Sequence, residues 1–337
     1  MDVYHADLNE AQADPAVSAL FAPRAGVTPF DRIDWLQQMA ERCLDPTRCF
    51  IAVARDGDAV AALPLYRTPA GLTALGNWYS FIARPRYNDP ALLTAILRHA
   101  STVGALNFGP LPDREAGALL HAARKSGWIA CLTPATINHV LHTKGRDFAK
   151  WWATRPGPLR ETVRRKSRKI TTRIARALDE AEWDTYAAIY AQSWKPTEAS
   201  PEFLRRFAIA ESRAGRLRLG IASLDGLPVA AQLWTIEGGT AFIHKLAHLP
   251  AAAAHSPGTV LSHALFAMAF DDDRVDLIDF GTGDDRYKRD WMEETRQRWQ
   301  LEAYHPRAVR HWPALGKLVV RTTLARARRL AAVEQAR

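Results

Sequence analysis

Cysteine is scarce in this sequence, and its three residues, Cys43, Cys49 and Cys131, form no C-x-x-C pair. An odd number without that spacing argues against a disulfide framework and against a cysteine-based zinc site. The acids at positions 271–273 do not follow the pattern of a calcium-binding loop. We therefore expect reduced thiols and no bound metal.

Long apolar runs are also missing, because no stretch approaches the roughly 20 residues that a membrane-spanning helix needs. The opening residues, MDVYHADLNEAQAD, are acidic and polar, unlike a secretory signal or a transit peptide. Together these absences predict a cytoplasmic protein. The length of 337 residues exceeds the usual size of one hydrophobic core and favours two domains.

Positive charge is in excess, with 45 Lys and Arg against 36 Asp and Glu, but it is concentrated in two segments. Residues 155–176 contain nine basic residues and one acid, and residues 307–337 contain eight and one. The rest of the chain is mildly acidic, so the net charge does not by itself indicate a nucleic-acid-binding protein. Basic residues at three- and four-residue steps predict a helical connector with a basic stripe, and a similar helix at the end of the chain.

A short pattern occurs twice in the chain. Residues 51–66 read IAVARDGDAVAALPLY and residues 221–234 read IASLDGLPVAAQLW, in each case two β-rich runs joined by Asp-Gly, a strong hairpin signal. Aligning Asp56 with Asp225 matches five of seven positions. A helix-like run follows in both halves, and then Asn107-Phe-Gly109 or Asp279-Phe-Gly281. This order predicts two copies of one hairpin, strand, helix and strand unit.

The second copy contains a helix start that the first copy lacks. A predicted strand from Thr240 to His248 leads to Ser256-Pro-Gly-Thr259, after which apolar residues recur at helical spacing. Such a start directs free N–H groups and a positive dipole end at an anion. The motif alone favours an ordinary helix cap, whereas its place in the repeat favours a phosphate site. The first copy has YNDP at 87–90, which is acidic and lacks glycine, so we expect it to be degenerate.

The segment Asp279–Lys288 reads DFGTGDDRYK and gives the most specific comparison. Together with the hairpin 221–234, the strand 242–248 and Ser256–Thr259, it resembles the GNAT acyltransferase superfamily. Within that superfamily it is similar to the CelD-like group of bacterial double-GNAT proteins, relatives of the Fem-type aminoacyltransferases, which show a D-F-G-x-G-D-x-x-Y-K pattern here. A kinase-type DFG is excluded, because no glycine-rich loop with a V-A-I-K strand and no H-R-D loop accompany it.

The resemblance covers roughly residues 159–306 well and the first half weakly. It implies an α/β (α+β) fold of two tandem GNAT-like domains, each a twisted, mixed, mostly antiparallel sheet flanked by helices. The implied organisation is a degenerate N-terminal domain at 1–150, a basic helical connector at 151–178, an acyl-CoA-binding GNAT domain at 179–306 and a basic C-terminal helix at 307–337.

The resemblance further implies acetyl-CoA or another acyl-CoA as co-substrate, with its pyrophosphate on backbone amides at the helix start. One departure matters, since the broader family has a Q/R-x-x-G-x-G/A loop, whereas here a single glycine follows Pro257, which has no N–H. We therefore expect either a weaker phosphate grip or a different acyl carrier. The residues expected around the cofactor are Ala247, His248, Ser256, Pro257, Gly258, Thr259 and Val260.

Acyl transfer to an amine needs a base for the amine proton, donors for the oxyanion and an acid for the leaving thiolate. The candidates are Asp279, Asp284 or the strand residues His244 and Lys245 as base or as acceptor-orienting groups, Tyr287 as acid, and Lys288 for steering a phosphate or carboxylate. Three of these candidates also have a simpler structural interpretation. In this simpler interpretation Asp279 only fixes a turn, Lys288 pairs with Asp284 or Asp285 at the surface, and His244 is a hydrogen-bonded core histidine.

The leading hypothesis is an acyl-CoA-dependent N-acyltransferase acting on an amine of a small metabolite, an amino sugar or a cell-envelope precursor. One alternative is a Fem-type aminoacyl-tRNA-dependent transferase that grips tRNA phosphates through Arg164–Arg176, although the connector is short for that role and nucleic acid is the less favoured partner. Another is a non-catalytic accessory of exopolysaccharide synthesis, with its C-terminal helix lying on anionic lipid as a peripheral membrane contact. A helix that only packs against its own domain is the simpler view of that segment.

Overall fold

The computed structural model describes residues 1–24 and 26–335, with side chains in the last helix described up to Leu324. The chain divides into two compact units. The first unit comprises residues 1–22, 30–136 and 297–337, and the second comprises residues 23–29 and 137–296. Each unit therefore draws on segments that are distant in sequence.

The first unit combines a sheet with five short helices and one long terminal helix. Its strands are β1 (Asp2–Ala6), β2 (Cys49–Asp56), β3 (Ala59–Thr68), β4 (Gly71–Ala74), β5 (Arg86–Tyr87), β6 (Ala105–Leu111), the first part of β7 (Ile129–His142) and most of β13 (Glu294–Tyr304). Its helices are α1 (Leu8–Ala13), α2 (Pro15–Phe21), α3 (Ile33–Cys43), α4 (Leu93–His99), α5 (Asp113–Lys125) and α12 (Trp312–Gln335).

The second unit has the same kinds of element in a similar order. Its strands are the end of β7, β8 (Ile170–Ala175), β9 (Leu217–Leu224), β10 (Leu227–Glu237), β11 (Thr240–His248), β12 (Leu277–Thr282) and the first residues of β13. Its helices are α6 (Phe148–Ala153), α7 (Gly157–Lys166), α8 (Glu180–Ala191), α9 (Pro201–Arg213), α10 (Pro257–Asp271) and α11 (Arg286–Trp291).

Both units place one parallel strand pair inside an otherwise antiparallel sheet. In the first unit the order is β1-β2-β3-β4-β6-β13, and β4 runs parallel to β6. In the second the order is β7-β12-β11-β10-β9-β8, and β11 runs parallel to β12. The helix before the second strand of each parallel pair is α4 in one unit and α10 in the other. The expected repeated unit and the mixed, mostly antiparallel α/β fold are both confirmed.

The two hairpins differ by one residue, and a bulge corrects the difference. The turn of β2–β3 lies at Gly57-Asp58, since Asp56 pairs with Ala59, whereas the turn of β9–β10 lies at Asp225-Gly226. A register shift between Pro228 and Ala230 then inserts one extra residue into β10. The aligned pairs Ala61-Ala62 and Ala230-Ala231 consequently occupy equivalent positions, although the Asp-Gly dipeptides do not.

The connector differs from the expected continuous basic helix at 151–178. Helix α7 ends at Lys166, and Ile170–Ala175 forms the edge strand β8, which pairs with β9 from Ile170–Leu224 to Ala175–Leu219. The cause is local composition, because the β-branched run Ile170-Thr-Thr172 and Ile174 favour a strand and can extend an existing hairpin. The basic residues of this region are thus divided between a helix and a strand.

A large apolar core supports α10 in the second unit. The fully buried indole of Trp151 stacks on Phe266 with ring centroids 5.1 Å apart, and Leu261 and Leu265 are also fully buried. Gly220 on β9 permits this approach, because a Cβ there would lie 2.9 Å from a methyl carbon of each leucine. Burying each such side chain stabilises the fold by about 1.5–3 kcal/mol, so the position of α10 is firmly set.

Candidate functional site

The parallel pair β11–β12 opens into a wedge. The two strands pair only at Thr240–Leu277, Ala241–Ile278 and Phe242–Asp279. Strand β11 nevertheless continues for six more residues and stays paired with β10 as far as His248. Over the described residues, β11 therefore has no ladder pairing with β12 beyond Phe242.

Helix α10 begins beside this wedge with an unusual cap. Ser256 has φ 52° and ψ 45°, and its side chain makes no capping hydrogen bond. The first helical residue is Pro257, so the N–H of Gly258 and the positive end of a 15-residue helix remain available to an anion. A Cβ on Gly258 would meet only His248 Nδ1, at an ordinary contact distance of 3.6 Å. The N–H groups of Thr259 and Val260 donate to the Ser256 carbonyl, so the Gly258 N–H and the open space beside it are what this helix start offers.

A cavity of about 270 Å³ lies at this helix start. Its volume is close to the lower end of the range for small-molecule sites. The cavity is lined by Trp194, Leu246, His248, Ala253, Ser256, Gly258, Thr259, Ser262, Tyr287 and Trp291. Of the residues expected around the cofactor, His248, Ser256, Gly258 and Thr259 therefore line it. Ala247, Pro257 and Val260 are buried and do not.

Residues after α8 add an aromatic face and a positive charge that the sequence motifs did not reveal. Trp194 is half exposed, and its ring lies 4.1 Å from that of His248. The Lys195 ammonium lies 5.3 Å from the Trp194 ring centre. Burial lowers the pKa of His248, and the charge of Lys195 lowers it further. Both residues stand in an irregular segment, where no periodicity marks them.

Gln232 holds the start of α10 against the sheet. Its side-chain amide donates to the Gly258 carbonyl at 3.0 Å and to Ser262 Oγ at 2.8 Å, while its oxygen accepts from Trp234 Nε1 at 2.9 Å. The residue is almost completely buried. A buried and fully bonded amide fixes orientation well. A single polar residue inside the apolar strand VAAQLW was the available signal, and our sequence reasoning missed it.

Asp279 is held inside the loop that ends β12. Its Oδ1 accepts from Asn138 Nδ2 at 2.7 Å and from the Gly281 N–H at 2.8 Å, and Asn138 also donates to the Gly281 carbonyl at 3.0 Å. Both side chains are buried. This arrangement supports the simpler of the two roles expected for Asp279, that of fixing the turn.

Lys288 also turns inward, instead of extending to the surface. Its ammonium donates to the Thr282 carbonyl at 2.5 Å and the Gly283 carbonyl at 3.2 Å, and it lies 3.5 Å from an Asp285 oxygen. Burial lowers the pKa of Lys288, while Asp285 opposes that shift. Because the ammonium is used by the loop, Lys288 stabilises the end of β12 and is poorly placed to steer a ligand from solvent.

Asp284 lies outside the cavity lining. It bonds Arg289 Nη2 at 2.6 Å and His139 Nε2 at 2.9 Å. The pKa of Asp284 is lowered, first by the Arg289 hydrogen bond and then by that of His139. A carboxylate whose pKa lies below its ordinary value is a weak base near neutral pH. The buried His139 was not among our candidates.

Tyr287 is the expected catalytic residue that does line the cavity. Its ring packs edge-on against Phe280 with centroids 5.6 Å apart. Burial raises the pKa of Tyr287 strongly, with a smaller contribution from Asp285. The phenol therefore keeps its proton at neutral pH and can donate it.

A bulge sends the two basic candidates of β11 to the other face of the sheet. The register between β10 and β11 shifts at His244, since Ile243 pairs with Trp234 and Lys245 with Leu233. His244 Nε2 lies 2.8 Å from Thr235 Oγ1, and its ring packs edge-on against Phe207 of α9. Leu246 returns to the face of α10. His244 thus has the environment of a hydrogen-bonded core histidine and does not line the cavity.

A second space of about 290 Å³ lies between α8 and α9. Glu198 lines it and forms an ion pair of 2.7 Å with Lys245. The Lys245 ammonium also lies 5.3 Å from the ring centre of Tyr190, whose pKa is raised to about 12 by burial and then by Glu198. This groove is lined by Trp183, Tyr186, Ala187, Tyr190, Ala191, Thr197, Glu198, Pro201 and Leu204.

A metal-binding cluster and a membrane-spanning helix are both absent from the described residues. In the part of the chain that the structure describes, no group of three His, Cys, Asp or Glu side chains is placed to hold a metal ion. Over that same part, none of the helices combines the length and the apolar character that crossing a bilayer requires.

A known family model matches part of this chain. Residues 158–289 match the family model described as an acetyltransferase (GNAT) domain. A search among curated proteins finds no match for the sequence.

Several solved structures share the fold over most of the chain. FemX is 11% identical, with 93% of this chain and 99% of that one covered at a TM-score of 0.62. The C-terminal domain of a putative lysylphosphatidylglycerol synthetase from Agrobacterium fabrum is 12% identical, with coverages of 88% and 91% and a TM-score of 0.55. A tandem GNAT protein from the clavulanic acid biosynthesis pathway is 14% identical, with coverages of 90% and 98% and a TM-score of 0.54. Residues 158–289 therefore resemble the acetyltransferase (GNAT) domain, and the chain as a whole shares its fold with FemX and with a tandem GNAT protein.

Proposed function

We propose that the protein is an acyl-CoA-dependent N-acyltransferase, with acetyl-CoA as the simplest donor, and that the second unit carries the reaction. The observation that supports this most directly is the uncapped start of α10, which opens into the 270 Å³ cavity beside the wedge between β11 and β12. An acyl-CoA has an anionic end and an extended amide-bearing arm, and these features match the two halves of the site.

The described residues fit the parts of acyl-CoA in turn. The pyrophosphate would accept from the Gly258 N–H at the helix start, and the Lys195 ammonium would add the charge that Lys288 does not provide. The exposed face of Trp194 offers a stacking surface. The amides of the pantetheine arm would pair with the backbone of β11 beyond Phe242.

In the reaction the acceptor nitrogen forms a bond to the thioester carbon, the carbon–sulfur bond breaks, and the nitrogen releases its proton to solvent. Tyr287 lines the cavity and is the proposed proton donor to the leaving sulfur, because its phenol is protonated at neutral pH. Small metabolites, amino sugars and cell-envelope precursors remain the proposed acceptor classes.

Calorimetric titration with acetyl-CoA and with longer acyl-CoAs tests the donor. The wild-type protein should bind at least one of them, and Gly258→Trp should abolish that binding because the indole fills the helix start. Gly258→Ala is the matched control, since its Cβ makes only an ordinary contact with His248 and should change the affinity a few-fold at most. Absence of binding to every acyl-CoA by the wild-type protein would refute the proposal.

An aminoacyl-tRNA donor is the second candidate, and the exposed basic surface of α7 favours it. Arg164, Arg165 and Arg168 are all exposed at or beside the end of this helix. The test measures tRNA binding at increasing salt for the wild-type protein and for Arg165→Glu/Arg168→Glu, with Arg98→Glu on α4 as the control. A steep loss of binding with salt and with the double substitution supports the tRNA donor. Weak binding that changes neither with salt nor with the double substitution excludes the tRNA donor.

A further inference from the structure

The last helix of the first unit is held firmly along one side. Leu318 is only 2% exposed, and Arg321 pairs with Glu302 of β13. Just before the helix, Arg310 Nη2 donates to the Val103 carbonyl at 2.6 Å. At its first residue, Trp312 Nε1 donates to the Pro306 carbonyl at 2.8 Å. These contacts fix the rotation of α12 about its axis, so the same residues always face outward.

Four large apolar side chains of α12 are exposed. Trp312, Val319, Val320 and Leu324 are 55%, 43%, 59% and 54% exposed. Their spacing of seven, eight and twelve residues from Trp312 places them on one face of a helix with 3.6 residues per turn. We call these four residues the apolar stripe. Single exposed hydrophobic residues are common on protein surfaces, but a continuous stripe on one helix indicates an interaction surface.

Positive charge borders the apolar stripe. Lys317 and Arg321 are exposed and lie on the same side of the helix, next to Val320 and Leu324. Residues 307–337 contain eight Lys or Arg and one acid. A second copy of this chain is a poor occupant of the stripe, since it would bring two strongly cationic helices together. An anionic surface has the complementary charge.

We propose that the apolar stripe of α12 is a peripheral membrane-binding surface whose ligand is a bilayer with anionic headgroups. Trp312, Val320 and Leu324 enter the boundary between headgroups and acyl chains, while Lys317 remains among the lipid phosphates. A Lys or Arg near an anionic bilayer is attracted to it electrostatically, which makes binding reversible and sensitive to salt. This surface belongs to the first unit and is independent of the proposed acyl transfer.

Flotation of the full chain with lipid vesicles tests the proposal. One set of vesicles contains phosphatidylcholine alone, and the other contains phosphatidylglycerol as a third of the lipid. We expect binding only to the second set, with loss at high salt. Val320→Ser/Leu324→Ser should lower the partitioning at least tenfold without changing the melting temperature, because both side chains are exposed. Lys317→Glu should lower it less.

Leu227→Ser is the matched control, since Leu227 is 70% exposed in the β9–β10 turn of the second unit and should have no effect. Equal binding to both vesicle types, no binding to either, or an unchanged affinity of the Val320/Leu324 double variant would each overturn the proposal. A dimer that sedimentation detects in the wild-type protein but not in the Val320/Leu324 double variant would also overturn the proposal. The same holds for binding to RNA that needs no lipid and is retained by the double variant.

Discussion

The two units build the same supersecondary pattern, but they begin its helix in opposite ways. Before α4, Asp89 caps a short 3₁₀ turn, and its carboxylate accepts from the Ala91 N–H at 2.9 Å. Before α10, Ser256 has a left-handed backbone and no side-chain cap. The first unit therefore supplies a carboxylate to the 3₁₀ turn that leads directly into α4, whereas the second unit has no side-chain cap before α10. One side chain at the cap distinguishes a structural helix from a candidate binding site.

The parallel strand pairs of the two units also differ, in how far one strand continues beyond its last pairing with the other. Strand β4 ends at Ala74, one residue after its last pairing with β6. Strand β11 continues six residues past its last pairing with β12. Asn107-Phe-Gly109 also lacks the acid, tyrosine and lysine that follow Asp279-Phe-Gly281. The cap, the strand pairing and the loop thus all favour the second unit for the proposed ligand binding.

The largest effect is expected from Tyr287→Phe, which removes the proton donor that the first unit lacks. We predict a fall in kcat of about 100-fold with little change in KM, measured as thiol release from acetyl-CoA with an amine that an acceptor screen identifies. Because the pKa of Tyr287 is raised above its ordinary value, the wild-type kcat should show no alkaline loss from this group below about pH 10. An unchanged kcat in the variant would show that another group protonates the thiolate.

A smaller effect should follow when the cap of the first unit is transferred to the second. Ser256→Asp places a carboxylate at the start of α10, where it competes with the pyrophosphate for the Gly258 N–H and the positive end of the helix. We predict at least tenfold weaker acyl-CoA binding by calorimetry. Ser256→Asn is the control, since it has the same shape, tolerates the left-handed backbone and carries no charge. Equal affinities of the Asp and Asn variants would contradict an anion site here.

The reverse substitution tests the first unit. Asp89→Ala removes the helix cap and should lower the free energy of unfolding by about 1 kcal/mol, measured by chemical denaturation. Acyl-CoA affinity should not change. If the variant instead loses acyl-CoA binding, the first unit takes part in it, and the division of roles between the units is wrong.

The smallest effect concerns the acidic tail after Asp279-Phe-Gly281. Because the pKa of Asp284 is lowered in the folded state, its pairing with Arg289 and His139 stabilises the protein above the unfolded pKa of about 3.9. That contribution is lost as the pH falls through the lower, folded-state pKa. Asp284→Asn should therefore reduce the melting temperature slightly at pH 7, and the difference should vanish in acid. A difference that does not depend on pH would rule out the charge pairing as its cause.

Much of the second unit could be predicted from its sequence. Strand β11 and helix α10 were expected at Thr240–His248 and Pro257–Asp271, and the structure has those bounds, since apolar periodicity and proline at the first helical position are local signals. Strand β8 was missed because charge spacing suggested a helix, while pairing with β9 decided the outcome. Trp194 and Lys195 were missed because a loop carries no periodic pattern.

The sequence by itself determined the repeat, the family resemblance and the position of the helix start, because hairpin signals, motif spacing and helix caps act over a few residues. Only the tertiary structure decided which of the candidate side chains reach the cavity. The bulge at His244 turned His244 and Lys245 to the opposite face of the sheet, and burial committed Asp279 and Lys288 to the loop. Those outcomes depend on strand register and on partners such as Asn138, which is 141 residues distant in sequence from Asp279. Local signals contain no information on contacts at that separation.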